Sequence, residues 1–560
     1  MPILQAIALT LALGAPLCAA AAATVDLRAE AFGVRGDGVT DDGPAIQRAL
    51  AAACALPGPV RLVFPRNKTY YVKTAPERYV FRLHRVSRLT IDGGGSTFLL
   101  DPYLRFLSLT ESSHVTVRRL NVDFSPLPFV DGTVLAVNAT ERYVDVKLAD
   151  AAQPPVGGPT KQDGEQAFFS MLWSDGPYGP IGTHYWTARI APGPQPGTAR
   201  VYAAENFRSF AHIQPGRTRI SIPVPGIAHR YGPGPCFAVS DNDTARFEDI
   251  ELWSAPWMGF SVACNRGALT FRRVSIRPRP GTQRLTSTWR DGFHVKGNRA
   301  SLLWEDCVLE GMNDDAFNIA THSSTVQRVL SPTEVEVRQT YPLGPIAWLP
   351  GDTLIAVDEP SRRLLGSAVV IEAQPGPEPP RIQGKPAAQL WALRLDRALD
   401  GLQPGTLVWD ATSCNPDTTL RRCRIGMSCR MQSPVRLESC TVTALLWFYC
   451  EHIEGGFPSG VSITDCILRR GRGNPKYALV FSGAPATGVA KRPRAIHDVL
   501  IQGNRIYGSV RLEGVERATL SDNQFLEPDA EVLLRDNFDC TVTSNRDAAG
   551  NPWEPHGSSQ

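Results

Sequence analysis

The feature that most constrains the fold of this chain is a short repeat of alternating apolar residues. Runs of five to seven residues, rich in β-branched side chains, end at a bend with Asn, Asp or Gly and lead into another such run. In the C-terminal part Ile501, Leu520 and Val542 occupy equivalent positions at intervals of 19 and 22 residues. One such unit cannot bury its apolar face alone and is stabilised by stacking on its neighbours. The pattern therefore predicts an all-β chain folded as a right-handed parallel β-helix.

Two stretches, residues 127–239 and 323–411, interrupt the repeat. Both contain longer alternating runs between joints rich in Pro and Gly, which is typical of hairpins. We interpret them as inserted β modules of barrel or hairpin type, and insertions into solenoid loops usually lie on the binding face. The predicted organisation is a signal peptide over residues 1–23, β-helix coils over 24–126, 240–322 and 412–546, the two modules between them, and a tail over 547–560.

The N-terminus has the composition of a targeting segment. The first 23 residues form an apolar run that ends in small residues, with Ala21 and Ala23 placed as an A-x-A-like cleavage site. No later segment approaches the roughly 18 uninterrupted apolar residues of a membrane span. These features predict a signal peptide and a secreted or periplasmic protein.

A short helix is predicted just after the mature N-terminus, where it would cap the β-helix. Thr40 or Asp42 can cap free backbone N–H groups, and Pro44 fits the first turn. Residues 45–50 then carry an apolar stripe at helical spacing.

The charge of the chain is close to balanced, with 58 Lys and Arg against 55 Asp and Glu. A net charge of +3 over 560 residues gives no electrostatic footprint for nucleic acid or an anionic membrane. A neutral or weakly charged partner such as a glycan fits better. Nothing in the sequence decides whether the chain forms a homodimer.

The cysteines do not have the spacing of a metal site. After removal of Cys18 with the signal peptide, eleven remain, so at least one is unpaired. None has paired C-x-x-C spacing, and most of those after residue 300 lie inside strand-like runs. We interpret them as small apolar residues stacked in the β core, and the sequence leaves any disulfide pairing open.

Two turns that precede apolar strands carry the acidic residues Asp291, Asp314 and Asp315. Asp291 and Asp315 are 24 residues apart, the length of one coil, and this alignment superimposes residues 293–296 on 317–320. Neighbouring coils lie roughly 4.8 Å apart. We therefore expect the three carboxylates to meet on one exposed strip.

Three carboxylates at this spacing suit glycosidic bond hydrolysis. Like charges packed so closely raise the pKa of at least one member, which leaves a protonated acid beside ionised partners. Hydrolysis of a glycosidic bond needs an acid for the leaving oxygen and a carboxylate that activates water or attacks carbon. A single aspartate at a turn more often only caps backbone amides, but three that converge across one coil favour catalysis.

Two motifs resemble a known family. Residues 31–50, AFGVRGDGVTDDGPAIQRAL, look like the opening segment of pectate-lyase-like β-helix proteins. The motifs Arg290-Asp-Gly-Phe-His and Asn313-Asp-Asp-Ala-Phe-Asn resemble glycoside hydrolase family 110, the exo-acting α-1,3-galactosidases, as do their interval of 23 residues and the two inserted modules. The resemblance implies inverting removal of terminal α-1,3-linked galactose, as in blood-group-B-type glycans or linear α-galactosides. It also implies Asp291 as general acid, and Asp314 with Asp315 as the base pair that orients water.

The coil spacing and the resemblance disagree on stereochemistry. Carboxyl groups about 5 Å apart are usual in retaining glycosidases, whereas inverting enzymes usually hold them further apart. The prediction follows the resemblance and keeps inversion.

Further residues near the aspartates are candidates for sugar contacts. Polar side chains would bind hydroxyl groups and aromatic rings would stack on a sugar, although solvated polar residues and core aromatics are ordinary in a β-helix. The candidates are His294, Lys296, Asn318, Trp257 and Trp447. Glu451, His452 and Glu454 follow an aromatic run near the same region and are a weaker guess. Neither a metal nor a cofactor is predicted.

Two other functions fit the same fold. A polygalacturonase-like hydrolase of pectic polysaccharide should also contain a Gly-His-Gly strand and an Arg-Ile-Lys clamp, and this chain has neither. A non-catalytic carbohydrate-binding β-helix would not need three convergent aspartates. Both alternatives are weaker than the galactosidase.

Overall fold

The computed structural model describes most of the chain in a series of ranges. These are residues 23–149, 153–159, 168–176, 180–227, 234–339, 346–377, 381–382, 385–386, 388–449, 454–472, 474, 476–485 and 491–553. The predicted signal peptide falls almost wholly outside them and stays a prediction. Within these ranges there is one α-helix, Gly43–Ala55, with two short 3-10 helices at Ala29–Phe32 and Pro76–Arg78. No helix in the described ranges is long and apolar enough to span a bilayer.

Two parallel sheets form the body of the molecule, and the chain alternates between them coil after coil. The long sheet comprises Val25–Arg28, Asp37–Asp41, Val60–Val63, Thr69–Val72, Leu89–Leu100, Ser113–Phe124, Thr244–Leu252, Ala268–Ile276, Ser301–Glu305, Val308–Leu309, Asp417–Arg421, Arg424–Ile425, Val435–Glu438, Thr441–Ala444, Ser462–Thr464, Ile467–Arg472, Ile496–Gln502, Arg505–Tyr507, Val515–Ser521, Gln524–Phe525 and Phe538–Thr543. The short sheet comprises Tyr79–His84, Arg105–Thr110, Phe237–Ser240, Phe260–Ala263, Phe293–Lys296, Phe317–Ala320, Cys429–Met431, Leu446–Tyr449, Tyr477–Ser482, Ser509–Glu513 and Val532–Arg535. The predicted right-handed parallel β-helix is confirmed.

The two insertions are closed six-stranded barrels. The first barrel comprises Phe129–Asn138, Tyr143–Leu148, Phe169–Ser174, Ile181–Pro192, Thr198–Ala203 and Arg219–Pro223. The second comprises Ser323–Ser331, Glu334–Gln339, Thr353–Asp358, Arg363–Pro375, Gln389–Leu395 and Leu407–Asp410, and the pair Arg381–Ile382 and Lys385–Pro386 forms a small separate sheet. The prediction of two inserted β modules is confirmed, and the limits assigned to the domains stay predictions.

Aromatic rings stack along the inside of the short sheet because equivalent positions recur in each coil. Phe237, Phe260, Phe293 and Phe317 follow one another at ring-centroid distances of 4.2, 4.8 and 5.4 Å. All four side chains are fully buried. Burial of each such ring stabilises the fold by about 1.5–3 kcal/mol, so the register of successive coils is set by this stack.

A ladder of buried asparagines runs along one turn. The side-chain amides of Asn242, Asn265 and Asn298 each donate to the Oδ1 of the next asparagine, ending at Asn415, at 3.0, 2.9 and 2.9 Å. Each accepting Oδ1 also takes a backbone N–H from the preceding rung. Buried polar groups must be paired, and on these four coils an asparagine makes the pairing, while on the next coil the hydroxyl of Ser433 accepts from Asn415.

The bend of the long sheet carries residues in the left-handed conformation, which non-glycine residues adopt only rarely. Their charges alternate from coil to coil along what we call the bend ladder: Arg119, Asp249, Arg273, Asp306 and Arg422. Arg273 pairs with Asp249 at 2.5 Å, and Arg422 pairs with Asp306 at 2.8 Å. Each charge on the bend therefore lies beside an opposite one.

The second barrel is attached to the β-helix by a partly buried arginine. Arg299 is the residue after Asn298. It pairs with Asp352 at 2.6 Å and with Asp410 at 3.0 Å. Burial and the nearby carboxylate of Asp352 raise the pKa of Asp410 to about 7. One guanidinium thus joins two neighbouring carboxylates of the barrel to the coil.

The capping helix forms where predicted, but its capping residue acts differently. Asp42 stands at the N-cap position, and its carboxylate accepts the backbone N–H groups of Arg35 and Gly36 instead of those of the helix. The preceding Asp41 accepts the N–H of Gly43 at 3.0 Å. The predicted capping carboxylate of Asp42 therefore binds the backbone of the preceding turn and does not cap the helix.

The ten cysteines in the described ranges are all free thiols, and Cys450 lies outside those ranges. Seven of them are buried, which agrees with their interpretation as small apolar residues of the core.

Candidate active site

The site lies where the chain enters two adjacent strands of the short sheet. Phe293 pairs with Phe317 and His294 with Asn318, which is the register expected from the 24-residue spacing. The N–H of Gly292 donates to the carbonyl of Asp315 at 2.8 Å. A Cβ at position 292 would lie 2.9 Å from a backbone oxygen of the next coil, so glycine permits this approach.

Asp291, Asp314 and Asp315 meet at this point. Carboxylate oxygens of the three lie within 4.8 Å of one another. Only Asp314 reaches solvent, with 22% of its side chain exposed, whereas Asp291 and Asp315 are 3% and 5% exposed. The three residues converge as expected, but the strip that carries them is largely covered and the expectation of an exposed strip is wrong.

One carboxyl of the site, that of Asp291, has a strongly shifted pKa. Burial, reinforced by the adjacent charges of Asp314 and Asp315, raises the pKa of Asp291 well above its ordinary value. Arg290, the residue before Asp291, instead pairs with Asp314 at 3.0 Å. The arrangement therefore favours a proton on Asp291.

Two residues that the sequence did not single out hold Asp315 in place. The hydroxyl of Ser428 donates to its carboxylate at 3.0 Å, and the Nε of Arg430 lies 3.8 Å away. Both residues follow the second barrel in sequence, and Arg430 pairs with Asn318 in the short sheet. The insertion separates them from Asp315 by more than a hundred residues, so spacing alone gave no signal.

A second polar cluster lies on the next positions of the same strands. The Nζ of Lys296 donates to the Oδ1 of Asn318 at 2.7 Å and lies 3.3 Å from a carboxylate oxygen of Glu454. The amide of Asn318 also donates to Glu454 at 3.3 Å. The sequence gave Glu454 only as a guess, yet its carboxylate connects two of the predicted sugar-binding residues.

This second cluster is buried, which overturns the alternative that its polar residues are simply solvated. His294, Lys296 and Asn318 are each no more than 5% exposed. Burial lowers the pKa of His294 and of Lys296. Burial opposes ionisation of Glu454, but the cations of Lys296 and Arg430 outweigh it and lower the pKa of that carboxyl.

The two predicted tryptophans lie on opposite sides of the aspartates. Trp257 is half-buried, and its carbonyl accepts the backbone N–H of Arg290 at 3.2 Å. Trp447 pairs with Arg430 in the short sheet and stacks on Tyr449 at a centroid distance of 3.9 Å. The Nε of Arg430 donates to the Tyr449 hydroxyl at 2.5 Å. The stacked rings of Trp447 and Tyr449 therefore lie beside Arg430, whereas Trp257 contacts Arg290 through its backbone.

The first barrel packs directly against the site. The Nε2 of His184 lies 2.7 Å from the carbonyl oxygen of Asn313, the residue before Asp314. Phe169 of the same barrel stacks on Trp289, which is fully buried, at a centroid distance of 4.6 Å. Both turns that carry aspartates are thus fixed by the insertion, which agrees with an insertion on the binding face.

Three carboxylates at this spacing are also compatible with a divalent cation. Acidic clusters of this kind are common without one, and Arg290 already supplies a positive charge to Asp314.

Comparison with known proteins adds a family relationship to this geometry. No family model matches the chain. Over 435 residues it is 25% identical to alpha-1,3-galactosidase B of Bacteroides thetaiotaomicron, which covers 71% of this chain and 66% of that protein. It is 35% identical to alpha-1,3-galactosidase A of Akkermansia muciniphila over 289 residues, 48% of this chain and 44% of that protein. The chain is a relative of the α-1,3-galactosidases. The resemblance to glycoside hydrolase family 110 is therefore confirmed.

The extent of the match is limited. The chain spans less than two thirds of the length of these curated relatives. Among solved structures, the surface adhesin PfbA of Streptococcus pneumoniae aligns with 93% of this chain and 90% of its own at 10% identity, with a TM-score of 0.43.

Proposed function

We propose that the chain is a secreted, inverting exo-glycosidase that removes terminal α-1,3-linked galactose from glycans. The observation that carries the proposal is the meeting of Asp291, Asp314 and Asp315 within 4.8 Å, with the pKa of Asp291 raised by burial. The family relationship supplies the substrate class, because the curated relatives are named for activity on α-1,3-linked galactose.

In the proposed reaction Asp291 is the general acid. Its protonated carboxyl donates to the glycosidic oxygen as the bond to the anomeric carbon breaks. Asp314 and Asp315 orient a water molecule and accept its proton while its oxygen attacks the anomeric carbon. Ser428 and Arg290 keep these two carboxylates in place through the contacts at 3.0 Å.

The buried cluster next to the aspartates is the proposed subsite for galactose. His294, Lys296, Asn318 and Glu454 offer both donors and acceptors, and a sugar ring presents hydroxyl groups that need both. Trp257 or Trp447 would stack on the apolar face of the ring. A site built to pair hydroxyl groups rejects analogues that lack them, so this cluster would distinguish galactose from its deoxy analogues.

The test of the acid role compares two substrates with one variant. Asp291→Asn is expected to lose about 10³-fold in kcat/KM on an α-1,3-galactosyl disaccharide, whose leaving oxygen needs a proton. The loss should be much smaller on nitrophenyl α-galactoside, because nitrophenolate leaves without protonation. Equal losses on both substrates would assign Asp291 another role.

Asp314→Asn and Asp315→Asn are expected to fail on both substrates, since attack by water is required whatever the leaving group. If wild type hydrolyses neither substrate but binds the disaccharide, the chain is a carbohydrate-binding β-helix and the proposal is wrong.

The stereochemistry has its own test. Oxygens within 4.8 Å match the short separation usual in retaining enzymes, while the family resemblance implies inversion. The anomeric form of the first product, followed by NMR before mutarotation, is expected to be β-galactose. Initial α-galactose would overturn inversion and leave hydrolysis itself intact.

A further inference from the structure

A cavity of about 490 Å³ opens on the outer face of the long sheet, on the coils that precede the first barrel. It lies on the long sheet, whereas the aspartates precede strands of the short sheet. Its charged lining consists of Arg28, Arg61, Asp92, Arg118 and Arg119, together with Arg66 at its rim. The volume falls in the range of small-molecule sites, roughly 300–1,000 Å³.

The side chain of Asp92 organises part of this lining. It is 1% exposed and accepts from Arg119 through Nε at 2.8 Å and Nη2 at 2.6 Å. Arg118 also donates to it through Nε at 3.1 Å, and the Nη2 of Arg118 lies 2.9 Å from the same carboxylate. Two guanidinium groups are thereby held in fixed planes before any ligand binds, which reduces the ordering cost of binding.

The positive charge of the cavity is not balanced by the protein. Arg61 pairs with Asp26, but Arg28 and Arg66 make no ion pair with any residue in the described ranges. The five arginines of the lining, set against Asp92 and the adjacent Asp26, leave three positive charges at the cavity.

We infer that this cavity binds a sugar that carries a sulfate or phosphate group. The Nε–Nη2 edges of Arg61, Arg118 and Arg119 already bind Asp26 and Asp92. A tetrahedral oxyanion would therefore accept N–H groups from their remaining Nη atoms and from the unpaired guanidinium groups of Arg28 and Arg66. The cavity is far larger than a free oxyanion, and the additional space accommodates the sugar ring. The inference does not depend on the hydrolysis proposed for the aspartates.

Calorimetric titration of the full chain tests it with three probes. They are N-acetylglucosamine 6-sulfate, N-acetylglucosamine and inorganic sulfate, none of which contains galactose. Only the sulfated sugar is expected to bind well, and its affinity should fall as sodium chloride is raised. Equal affinity for inorganic sulfate would overturn the sugar part of the inference, and equal affinity for the neutral sugar would overturn the ionic part.

A charge-matched pair of variants tests the location. Arg28→Ala with Arg66→Ala removes two exposed, unpaired arginines and is expected to raise the dissociation constant about 100-fold, since each charge-assisted contact is worth about tenfold. Arg217→Ala with Arg338→Ala removes the same charge from exposed positions on the two barrels and should leave binding unchanged. Equal effects of the two pairs, or no binding by wild type at millimolar probe, would overturn the inference.

Both pairs should keep wild-type activity on α-galactosides, because none of the four residues lies at the aspartates. Failure of the proposed hydrolysis would leave this binding test intact, so the two proposals can fail separately.

Discussion

The bend ladder and the three site aspartates both result from coil stacking, but the first places opposite charges side by side and the second places like charges together. On the bend, Arg273 lies against Asp249 and Arg422 against Asp306, so each coil neutralises its neighbour. At the site, Asp291 lies against Asp314 and Asp315, and like charge accumulates in a covered position. Stacking sets the distance between coils in both places, and the residue type decides whether that distance stabilises the fold or raises a pKa. Substitutions at the two regions should therefore have opposite signatures.

The largest expected effect separates activity from stability at the site. Asp291→Asn should lower kcat/KM on an α-1,3-galactosyl disaccharide by about 10³-fold, because no proton is available for the leaving oxygen. The free energy of unfolding at pH 7 should not fall, since the variant removes a buried acid among like charges. Hydrolysis rates and urea denaturation measure the two quantities.

The matched control on the bend is Asp306→Asn, which should keep wild-type activity and lose a little stability. If Asp291→Asn is instead less stable than wild type at pH 7, the site aspartates are structural and the contrast with the bend is lost.

The second largest effect concerns two close carboxylates of the second barrel that share one guanidinium group. Arg299→Leu leaves Asp352 and Asp410 facing each other in a largely buried position, and should lower the free energy of unfolding by about 3 kcal/mol. Arg338→Leu, at an exposed position on the same barrel, is the control and should change it little. A loss below 1 kcal/mol for Arg299→Leu, by urea denaturation, would mean that water replaces the guanidinium at about equal cost.

The third effect is the dependence of stability on pH. The folded pKa of Asp291 is raised above its unfolded value, so its stabilising contribution is complete below the unfolded pKa near 3.9 and is lost as pH rises through the folded pKa. The Asp291→Asn variant lacks this titration. Its advantage over wild type should thus appear above about pH 4 and grow by about 1.4 kcal/mol per unit of pKa shift.

Urea denaturation of both proteins between pH 4 and pH 8 measures this difference. A constant difference across that range would show that Asp291 does not titrate there. The activity of wild type should also fall as pH rises past the same pKa, about tenfold per unit, because the acid form is required.

The smallest expected effect lies on the bend. Arg273→Ala breaks an ion pair whose side chains are 44% and 40% exposed, and should cost about 0.5 kcal/mol. The cost should shrink at high salt, because exposed charges are screened. A salt-independent loss would assign the effect to packing of the arginine stem.

Repetition explains how much of the fold could be predicted from the sequence. The alternation of apolar residues predicted parallel coils, and the 24-residue spacing placed Phe293 opposite Phe317 correctly. The same spacing brought Asp291 to Asp314 and Asp315, because coil stacking converts a sequence interval into a spatial neighbour. The two insertions were recognised because their longer strands break this rhythm.

The contacts that the sequence did not reveal all cross an insertion or a layer. Ser428 and Arg430 reach Asp315 only after the second barrel has returned the chain to the β-helix. His184 reaches Asn313 from the first barrel, and no periodicity relates the two. Glu454, which lies 3.3 Å from the Nζ of Lys296, also comes from the chain after the second barrel.

The asparagine ladder also determines how the protein can age. Spontaneous deamidation of Asn298 would replace its amide donor with a carboxylate oxygen, which would then face the carbonyl of Val262 and the Oδ1 of Asn415. Both facing atoms are acceptors and cannot donate a hydrogen bond to this carboxylate. A buried, unpaired charge costs several kcal/mol. Because the rungs are linked in one direction, loss of one amide also removes the donor to the next asparagine, so a single deamidation would weaken two rungs.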